Sequence, residues 1–487
     1  MRAEEYIHFD ATALAQLVQR REVTPAELLE SAIERIEALN PRLNAVVERA
    51  YDTARAAAGT IDITAPLAGV PFLAKDMNIE VAGLHLTESS RWLRHLPAAS
   101  HDAPLAQRWR QAGLSILGRT NTPEFASEFV TEPAWRGATQ NPWDRRRTPG
   151  GSSGGAAAAV ASGMVPLAHG TDSGGSIRVP AALCGLVGLK PSRGWVPVGP
   201  QHDELVSGFD CEHVLARSVR DSALVLDVTA GPEATTRYPI SAPTVRFVAG
   251  LNERPPLARI GLALRSPGGV LPADDIGAAV EEVSRWLTRA GHRVVNFDYP
   301  PEANCGEAAE VIWTTAIGEE IDYFARRLGR VPAADEIEAL SRTCAERARR
   351  FSAVDYVRAR RTLSAATRAM SEACASIDFL LMPVTATHAV PTGYINRHVG
   401  PFSLDRWSED SYRFAPYTEL FNVTGQPALS LPLAQSAGGL PIGVQLIARL
   451  GADAALLRLA AELEREHPWE SRHLALRRRY LSSSGGR

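Results

Sequence analysis

Two short glycine-serine runs carry the residue types that could do chemistry in this chain of 487 residues. Residues 150–155 are GGSSGG, and residues 171–176 are TDSGGS. Glycine runs occur where the backbone approaches a ligand closely or adopts positive φ, and a serine hydroxyl can act as a nucleophile once a base activates it. The two runs therefore favour either a serine-centred site or a flexible loop, and their composition alone leaves both open.

Other sites built on glycine-rich turns fit these runs poorly. A phosphate-binding P-loop needs a lysine after its last glycine, and no lysine follows either run. Dinucleotide binding requires a strand that leads directly into a Gly-x-Gly-x-x-Gly turn, and no strand pattern does so here. The sequence also lacks a His-x-x-x-His pair or clustered carboxylates, so no metal site is predicted.

A serine nucleophile needs a base, and two residue types could supply one. His169 precedes Ser176 closely in sequence, but a serine-histidine pair depends on geometry, so we interpret His169 as a structural residue at a strand end. Lys75 follows the apolar residues 71–74. An ordinary lysine pKa of about 10.4 makes a poor base at neutral pH, and burial lowers that pKa because desolvation disfavours the charged form. Spacing alone leaves both a salt bridge and a base open for Lys75.

The elements that must position these residues alternate between strands and helices. Short apolar runs predict strands at 71–74 and 115–118. Further along, strands at 259–264 and 293–297 enclose an amphipathic helix at 275–290. This alternation is typical of βαβ units and predicts an α/β fold with a mixed or parallel sheet.

Helix signals mark both ends of the chain. Residues 24–27 (TPAE) match a capping box with proline at the first helical position, and we expect Asn40-Pro41 to end that helix. A last helix at about 453–465 is predicted to close the fold. The basic residues 477–479 are predicted to form a solvated end.

Composition excludes several classes of protein. The chain is 45% hydrophobic and 22% charged, and its net charge of −3 gives no reason to expect nucleic acid or an anionic membrane as a partner. Five widely spaced cysteines without Cys-x-x-Cys predict a reducing compartment. No signal peptide and no apolar run of about 20 residues is present. We therefore expect a cytoplasmic protein with no metal and no cofactor.

Taken together, the two runs resemble the signature of the amidase signature family. The match extends through four further segments: residues 184–191 (CGLVGLKP), 216–221 (ARSVRD), 421–428 (FNVTGQPA) and 439–445 (GLPIGVQ). The resemblance implies an amidase signature fold, with one domain over residues 1–487 and a central mixed β-sheet flanked by helices on both faces. It places the signature core at about 65–230 and a variable, helical, substrate-shaping region at about 303–375.

The resemblance also implies a catalytic triad. Ser176 matches the nucleophile, Ser152 matches the bridging serine whose peptide bond to Gly151 is cis in the family, and Lys75 matches the base. The implied oxyanion hole consists of backbone N–H groups of Ser173, Gly174, Gly175 and Ser176. The implied supporting residues are Gly151, Ser153, Asp172 and Arg178. Arg178 either pairs with an internal carboxylate or meets a substrate anion.

The family implies amide hydrolysis through a serine acyl-enzyme. Residues 188–194, 212–218 and 467–469 look most like the 6-aminohexanoate cyclic-dimer hydrolase branch, which favours a small, cyclic or oligomeric amide as substrate. Members of that branch usually have glycine at the position of Ser173. We therefore expect a stiffer oxyanion turn in this chain. A urethanase or esterase with the same triad remains an alternative. An amidotransferase A-type subunit is disfavoured because its branch usually carries threonine at position 173. A monomer or homodimer is expected.

Overall fold

The structure of the chain, a computed structural model, describes residues 1–200, 204–233, 241–396 and 401–482. Its strands all join one sheet of eleven strands. In chain order they are β1 (Val46–Arg49), β2 (Pro71–Lys75), β3 (Ser115–Thr120), β4 (Leu167–Thr171), β5 (Val187–Lys190), β6 (Glu212–Ala216), β7 (Arg259–Leu262), β8 (Arg293–Asn296), β9 (Phe379–Pro383), β10 (Ala428–Gln435) and β11 (Pro441–Ala448).

The sheet is mixed, and its order is β1-β3-β2-β4-β6-β5-β10-β11-β9-β7-β8. Parallel pairs join β2 to β3 and β4, and β7 to β8 and β9. The remaining pairs are antiparallel, including β5 with β10, which joins the early strands to the late ones. Strands 187–190 and 428–435 are therefore neighbours despite their distance in sequence.

Helices flank the sheet, and together they confirm the predicted α/β class. The helices with at least seven residues are α1 (Ala11–Gln19), α2 (Pro25–Leu43), α3 (Tyr51–Ala58), α4 (Pro104–Gln111), α5 (Gly154–Ala161), α6 (Arg178–Cys184), α7 (Val219–Thr229), α8 (Asp274–Arg289), α9 (Gly306–Leu328), α10 (Ala339–Ala348), α11 (Ala353–Ala373), α12 (Leu404–Phe414), α13 (Asp453–Glu466) and α14 (Glu470–Ser482). No helix among the described residues has the length and apolarity needed to cross a membrane.

The centre of the fold is unusually poor in large side chains around the two glycine-serine runs. Every residue of α5 is buried, and most of them are alanine or glycine. A Cβ on Gly155 would overlap the backbone of Asn121 and Ala45, so only glycine lets α5 approach the end of β3 this closely. Small residues thus bring the first run directly against the carboxyl end of the parallel strands.

Helices α9, α10 and α11 form most of the predicted helical region at 303–375. They pack on one another and contribute to two apolar clusters beside the sheet. Buried Ile317 and Phe324 of α9 lie in the same cluster as Trp407 of α12. This region and α12 therefore make one side of the molecule above the strand ends.

Two sequence predictions about the chain ends are wrong. The helix that begins at Pro25 continues through Pro41 to Leu43, because a proline in the last turn removes only one intrahelical bond and Asn40 Oδ1 accepts from the N–H groups of the next residues, 45 and 46. A further helix, α14, follows the one predicted to be last. Arg477 of that helix is buried and pairs with Glu470, whereas Arg478 and Arg479 are exposed, so the prediction of a solvated end is wrong for Arg477.

Candidate active site

Lys75 is the last residue of β2, and the sheet buries it completely. Its Nζ lies 2.6 Å from Ser152 Oγ and 2.6 Å from Thr171 Oγ1. All five residues of β2 are buried because parallel neighbours cover both edges and helices cover the faces. The strand therefore delivers a lysine amine into the interior, where serine and threonine hydroxyls are its neighbours.

Burial determines the protonation of this lysine. Desolvation lowers the pKa of Lys75 to about 8, although the nearby carboxyl groups of Asp210 and Glu212 act in the opposite direction. No carboxylate oxygen lies within salt-bridge distance of Nζ among the described residues, so a direct salt bridge is not what holds it. Its amine can therefore be neutral, and act as a base, at mildly alkaline pH.

Ser152 lies in the first glycine-serine run, just before α5. The peptide bond between Gly151 and Ser152 is cis. A Cβ on Gly151 would overlap the backbone oxygen atoms of Val130 and Glu128, so glycine is required where this loop passes that segment. The run is thus a fixed structure with buried serines and not a flexible loop.

Hydrogen bonds tie the two runs together. The Ser153 N–H donates to the carbonyl oxygen of Ser176 at 3.2 Å. Ser153 Oγ lies 3.3 Å from both the carbonyl oxygen and the backbone nitrogen of Thr171. The loop that carries Ser152 and the loop that carries Ser176 are consequently held at a fixed separation.

Ser176 follows the turn 173–175 and lies on the wall of a large cavity. Gly175 has a φ of 139°, and a Cβ there would overlap the Thr418 side chain. The Ser173 hydroxyl donates to Asp210 Oδ1 at 2.7 Å. Gly175 and the hydrogen bond between Ser173 and Asp210 thereby fix the conformation of the turn that leads to Ser176.

Arg178 lies behind this turn and away from the cavity. Its guanidinium donates to both carboxylate oxygens of Asp172, at 2.9 and 2.7 Å. Further bonds reach Thr418 O, Gln445 Oε1 and Asn422 Oδ1. Of the two alternatives for Arg178, the geometry is that of pairing with an internal carboxylate.

Asp172 in turn holds the start of α6. Burial acts to raise the pKa of Asp172, but the Arg178 guanidinium outweighs it and leaves that pKa below its usual value. Asp172 Oδ2 also accepts from the backbone N–H groups of Ile177 and Arg178. One carboxylate therefore fixes the residues immediately after Ser176.

A second buried network lies beside Lys75, and sequence analysis missed it. Asn78 Nδ2 donates to Asp210 Oδ2 at 2.7 Å and to Glu212 Oε1 at 2.9 Å. Burial, reinforced by the neighbouring Glu212, raises the pKa of Asp210 well above its ordinary value. Burial raises the pKa of Glu212 to about 8. The only sequence signal was a pair of acidic residues at alternate positions where a strand begins.

His169 belongs to this network and not to a catalytic pair with serine. Its Nδ1 accepts from the Lys75 N–H at 3.2 Å, and its Nε2 lies 2.6 Å from Glu212 Oε2. Burial, with Lys75 nearby, lowers the pKa of His169 far below its ordinary value, so the ring is neutral and Nε2 donates to Glu212. His169 thus positions the end of β2.

Thr171 begins the second glycine-serine run and is the last residue of β4. Its hydroxyl contacts the Lys75 amine, and the residue also lines the cavity beside Ser176. No sequence signal separates this threonine from any other at a strand end. The structure therefore adds Thr171 to the candidate site.

The cavity that exposes Ser176 has a volume of about 950 Å³, including its open mouth. Its walls are mainly apolar and aromatic, and they come from residues 125–129, from Val206 and Phe209, and from the ranges 313–320 and 407–419. Three carboxyl side chains interrupt this lining: the buried Glu128 and Glu320, and the half-buried Glu419. The cavity can hold a small organic molecule with one end at Ser176.

Comparison with known proteins gives consistent results. Residues 27–457 match the family model described as Amidase. The chain is 37% identical over 479 residues to the 6-aminohexanoate-cyclic-dimer hydrolase of Paenarthrobacter ureafaciens, covering 95% of this chain and 96% of that protein. It is 36% identical over 475 residues to the putative amidase AmiC of Mycobacterium tuberculosis, with 95% and 96% covered.

Solved structures with the same architecture are similar to this one over nearly their full length. A 6-aminohexanoate cyclic dimer hydrolase complexed with substrate gives a TM-score of 0.92 at 35% identity and covers 97% of this chain and 99% of that chain. A bacterial aryl acylamidase of the amidase signature family gives a TM-score of 0.87 at 28% identity, with 96% and 98% covered.

Proposed function

The chain belongs to the amidase family, and from that premise we propose that it cleaves a small or cyclic non-peptide amide through an acyl-enzyme on Ser176. The observation that carries this proposal is the buried 2.6 Å contact between Lys75 Nζ and Ser152 Oγ, beside a loop that presents Ser176 to a cavity. A buried amine next to a serine hydroxyl, with a second serine facing substrate, is what a serine nucleophile without histidine requires.

The proposed first step is a proton relay. The neutral amine of Lys75 takes the proton of Ser152, and Ser152 takes the proton of Ser176 as Ser176 Oγ attacks the amide carbonyl carbon. The lowered pKa of Lys75 makes the neutral amine available. A tetrahedral intermediate with a negatively charged oxygen results.

The backbone N–H groups of the turn 173–176 are proposed to stabilise that oxygen. Each such donor contributes about 3–4 kcal/mol to transition-state stabilisation in comparable sites. Gly174 and Gly175 leave the turn without side chains on the substrate side. Asp172 and Arg178 support the turn from behind, and Ser153 and Gly151 hold the loop that faces it.

Collapse of the intermediate releases the amine. Ser152 returns a proton to the leaving nitrogen as the C–N bond breaks, which leaves an ester between the acyl group and Ser176 Oγ. Water, deprotonated through the same Ser152–Lys75 relay, then attacks the ester and releases the carboxylic acid. The same residues thus serve both halves of the reaction.

The substrate proposed is a small, cyclic or aryl amide. The supporting facts are the size and aromatic lining of the cavity and the relatives whose names specify a cyclic amide dimer and aryl acylamides. An apolar cavity that opens at Ser176 suits an uncharged chain or ring next to the scissile bond.

The test combines covalent labelling with turnover. Wild-type protein is expected to hydrolyse hexanoyl p-nitroanilide and to be labelled by a fluorophosphonate at Ser176. Ser176→Ala and Lys75→Met should each lose turnover by about a thousandfold or more. Ser162→Ala is the matched control, because that serine is also buried but bonds only to carbonyl oxygens of its own helix. Full turnover by Ser176→Ala would refute the proposal.

A further inference from the structure

The substrate cavity carries an acidic and aromatic lining that the acyl-transfer chemistry does not use. Glu128, Glu320 and Glu419 line it, together with the rings of Trp313 and Trp407. None of its lining residues in the described part of the chain is lysine, arginine or histidine. A neutral amide needs no such charge, so these side chains call for a substrate with a complementary group.

Glu128 is the best placed of the three carboxyls to meet a ligand. It is only 7% exposed, and its contact with the Asn396 side-chain amide is long, at 3.3 Å. Burial, together with the neighbouring carboxyl groups of Glu338 and Glu132, raises the pKa of Glu128 to about 8, although hydrogen bonds from Asn396 and Trp407 act in the opposite direction. Among the described residues, the charged groups that act on the Glu128 carboxyl are therefore Glu338 and Glu132, both acidic, and a cation that entered would relieve both the burial and the repulsion.

Two buried polar groups of the same cavity also lack a fully formed hydrogen bond within the described part of the chain. The Ser411 hydroxyl is buried, lines the cavity and has no partner among the described residues. The buried Trp407 indole Nε1 interacts with the Glu128 carboxyl but without full hydrogen-bond geometry. Buried polar atoms in folded proteins are nearly always paired. Their location in an open cavity indicates that a bound molecule supplies the missing partner.

The aromatic rings complete the chemistry of the site. The centroids of Trp313 and Trp407 lie 5.7 Å apart with their planes tilted by 57°, so the two indole rings are neighbours in the cavity wall. Indole faces attract cations, and carboxylates form charge-assisted hydrogen bonds with ammonium groups. A carboxylate beside indole rings therefore fits an alkylammonium group.

We infer that the preferred substrates are ω-amino amides, which carry a protonated primary amine that binds Glu128 between the Trp313 and Trp407 rings while Ser176 attacks the amide carbonyl. This inference rests on the proposed function for its catalytic half. The carboxyl groups of Glu320 and Glu419 line the same cavity. An amide that ends in a carboxylate is disfavoured, because like charge would be buried without a counter-ion.

The experiment compares three p-nitroanilides of equal chain length that differ only at the far end: 6-aminohexanoyl, hexanoyl and the mono-anilide of adipic acid. At about pH 9 an alkylammonium is still protonated, and a carboxyl with a raised pKa is ionised. We expect kcat/KM for the cationic substrate to exceed that of the neutral one by about tenfold or more, and the anionic substrate to fall below the neutral one.

Glu128→Gln tests the assignment of the carboxyl with an isosteric change. The ratio of kcat/KM between cationic and neutral substrates should fall to near one. Glu132→Gln is the matched control, because Glu132 is a nearby carboxyl that does not line the cavity, and it should keep the ratio of the wild type. A ratio that survives Glu128→Gln, or a wild type with equal rates on all three substrates, overturns the inference.

Binding separates this inference from the proposed function. The same three compounds can be titrated into the Ser176→Ala variant, which does not turn them over. Tighter binding of the cationic compound supports the inference even if no hydrolysis is ever detected. Equal binding contradicts it, and hydrolysis of the neutral anilide by the wild type would leave the amidase proposal intact.

Discussion

The contact between Thr171 and Lys75 yields a sharp prediction about the base. A neutral lysine amine that accepts the Ser152 proton must direct its lone pair at Ser152 and an N–H at the other neighbour, Thr171 Oγ1 at 2.6 Å. Thr171→Val keeps the shape and the β-branching that suits strand β4, and removes only that acceptor. The change should misdirect the lone pair without disturbing the fold.

The size of the effect follows from burial. Lys75 is 0% exposed, so the N–H left without an acceptor cannot turn to water. An unsatisfied buried donor costs about 1–3 kcal/mol. At about 1.4 kcal/mol per tenfold change in rate, kcat should fall by about 5- to 140-fold if the cost is borne in the transition state. KM for a neutral anilide should change little.

Stopped-flow release of p-nitroaniline measures this directly, because its first turnover reports acylation. Thr171→Ser is the control, since it restores the hydroxyl and should recover most of the rate. Thermal unfolding of both variants checks that the sheet is intact. The reasoning is refuted if Thr171→Val acylates within about twofold of wild type, or if Thr171→Ser is equally impaired, which would implicate the methyl group.

Three further predictions follow from the site. Initial acylation should rise with pH and level off above about 8, because the pKa of Lys75 is lowered to that value and only the neutral amine is active; equal rates at about pH 6 and pH 9 would contradict this. Asp172→Ala should cost about 3–5 kcal/mol of unfolding free energy in urea titrations, because it leaves buried Arg178 without its carboxylate; a loss below about 1 kcal/mol would count against that pairing. Gly175→Ala should lose far more activity than Gly174→Ala, because a Cβ at 175 would overlap the Thr418 side chain, whereas a Cβ at 174 would meet only the Phe129 ring at 3.7 Å. Equal kinetics of the two variants on an anilide would show that the turn tolerates both changes.

Much of this fold was predictable because local patterns agreed with tertiary structure. The short apolar run before Lys75 could only be a buried strand, and it is β2. The alternation around 275–290 gave a strand, a helix and a strand, which are β7, α8 and β8. The resemblance to the amidase signature is confirmed over residues 27–457, and it supplied the candidate triad that spacing alone left open.

The parts that could not be predicted depend on contacts between distant segments. Asp210 and Glu212 share the Asn78 side-chain amide only because β6 lies beside β4, which brings both carboxyl groups close to Asn78 and Lys75. The role inferred for Glu128 depends on Trp313 and Trp407, which line the same cavity but lie almost 200 or more positions later in the chain. Such partners carry no signal in the sequence near either residue.

The position of the Arg178 anchors has a consequence for how the protein is made. The loop that bears the serines leaves the ribosome long before Asn422 and Gln445, the side chains that hold Arg178 from the other half of the sheet. Strand β5 likewise pairs with β10, which is synthesised much later. A nascent chain that ends before these residues contains every proposed catalytic group but lacks the side chains and the strand that hold those groups in place. The proposed catalytic centre is therefore complete only when synthesis is nearly finished.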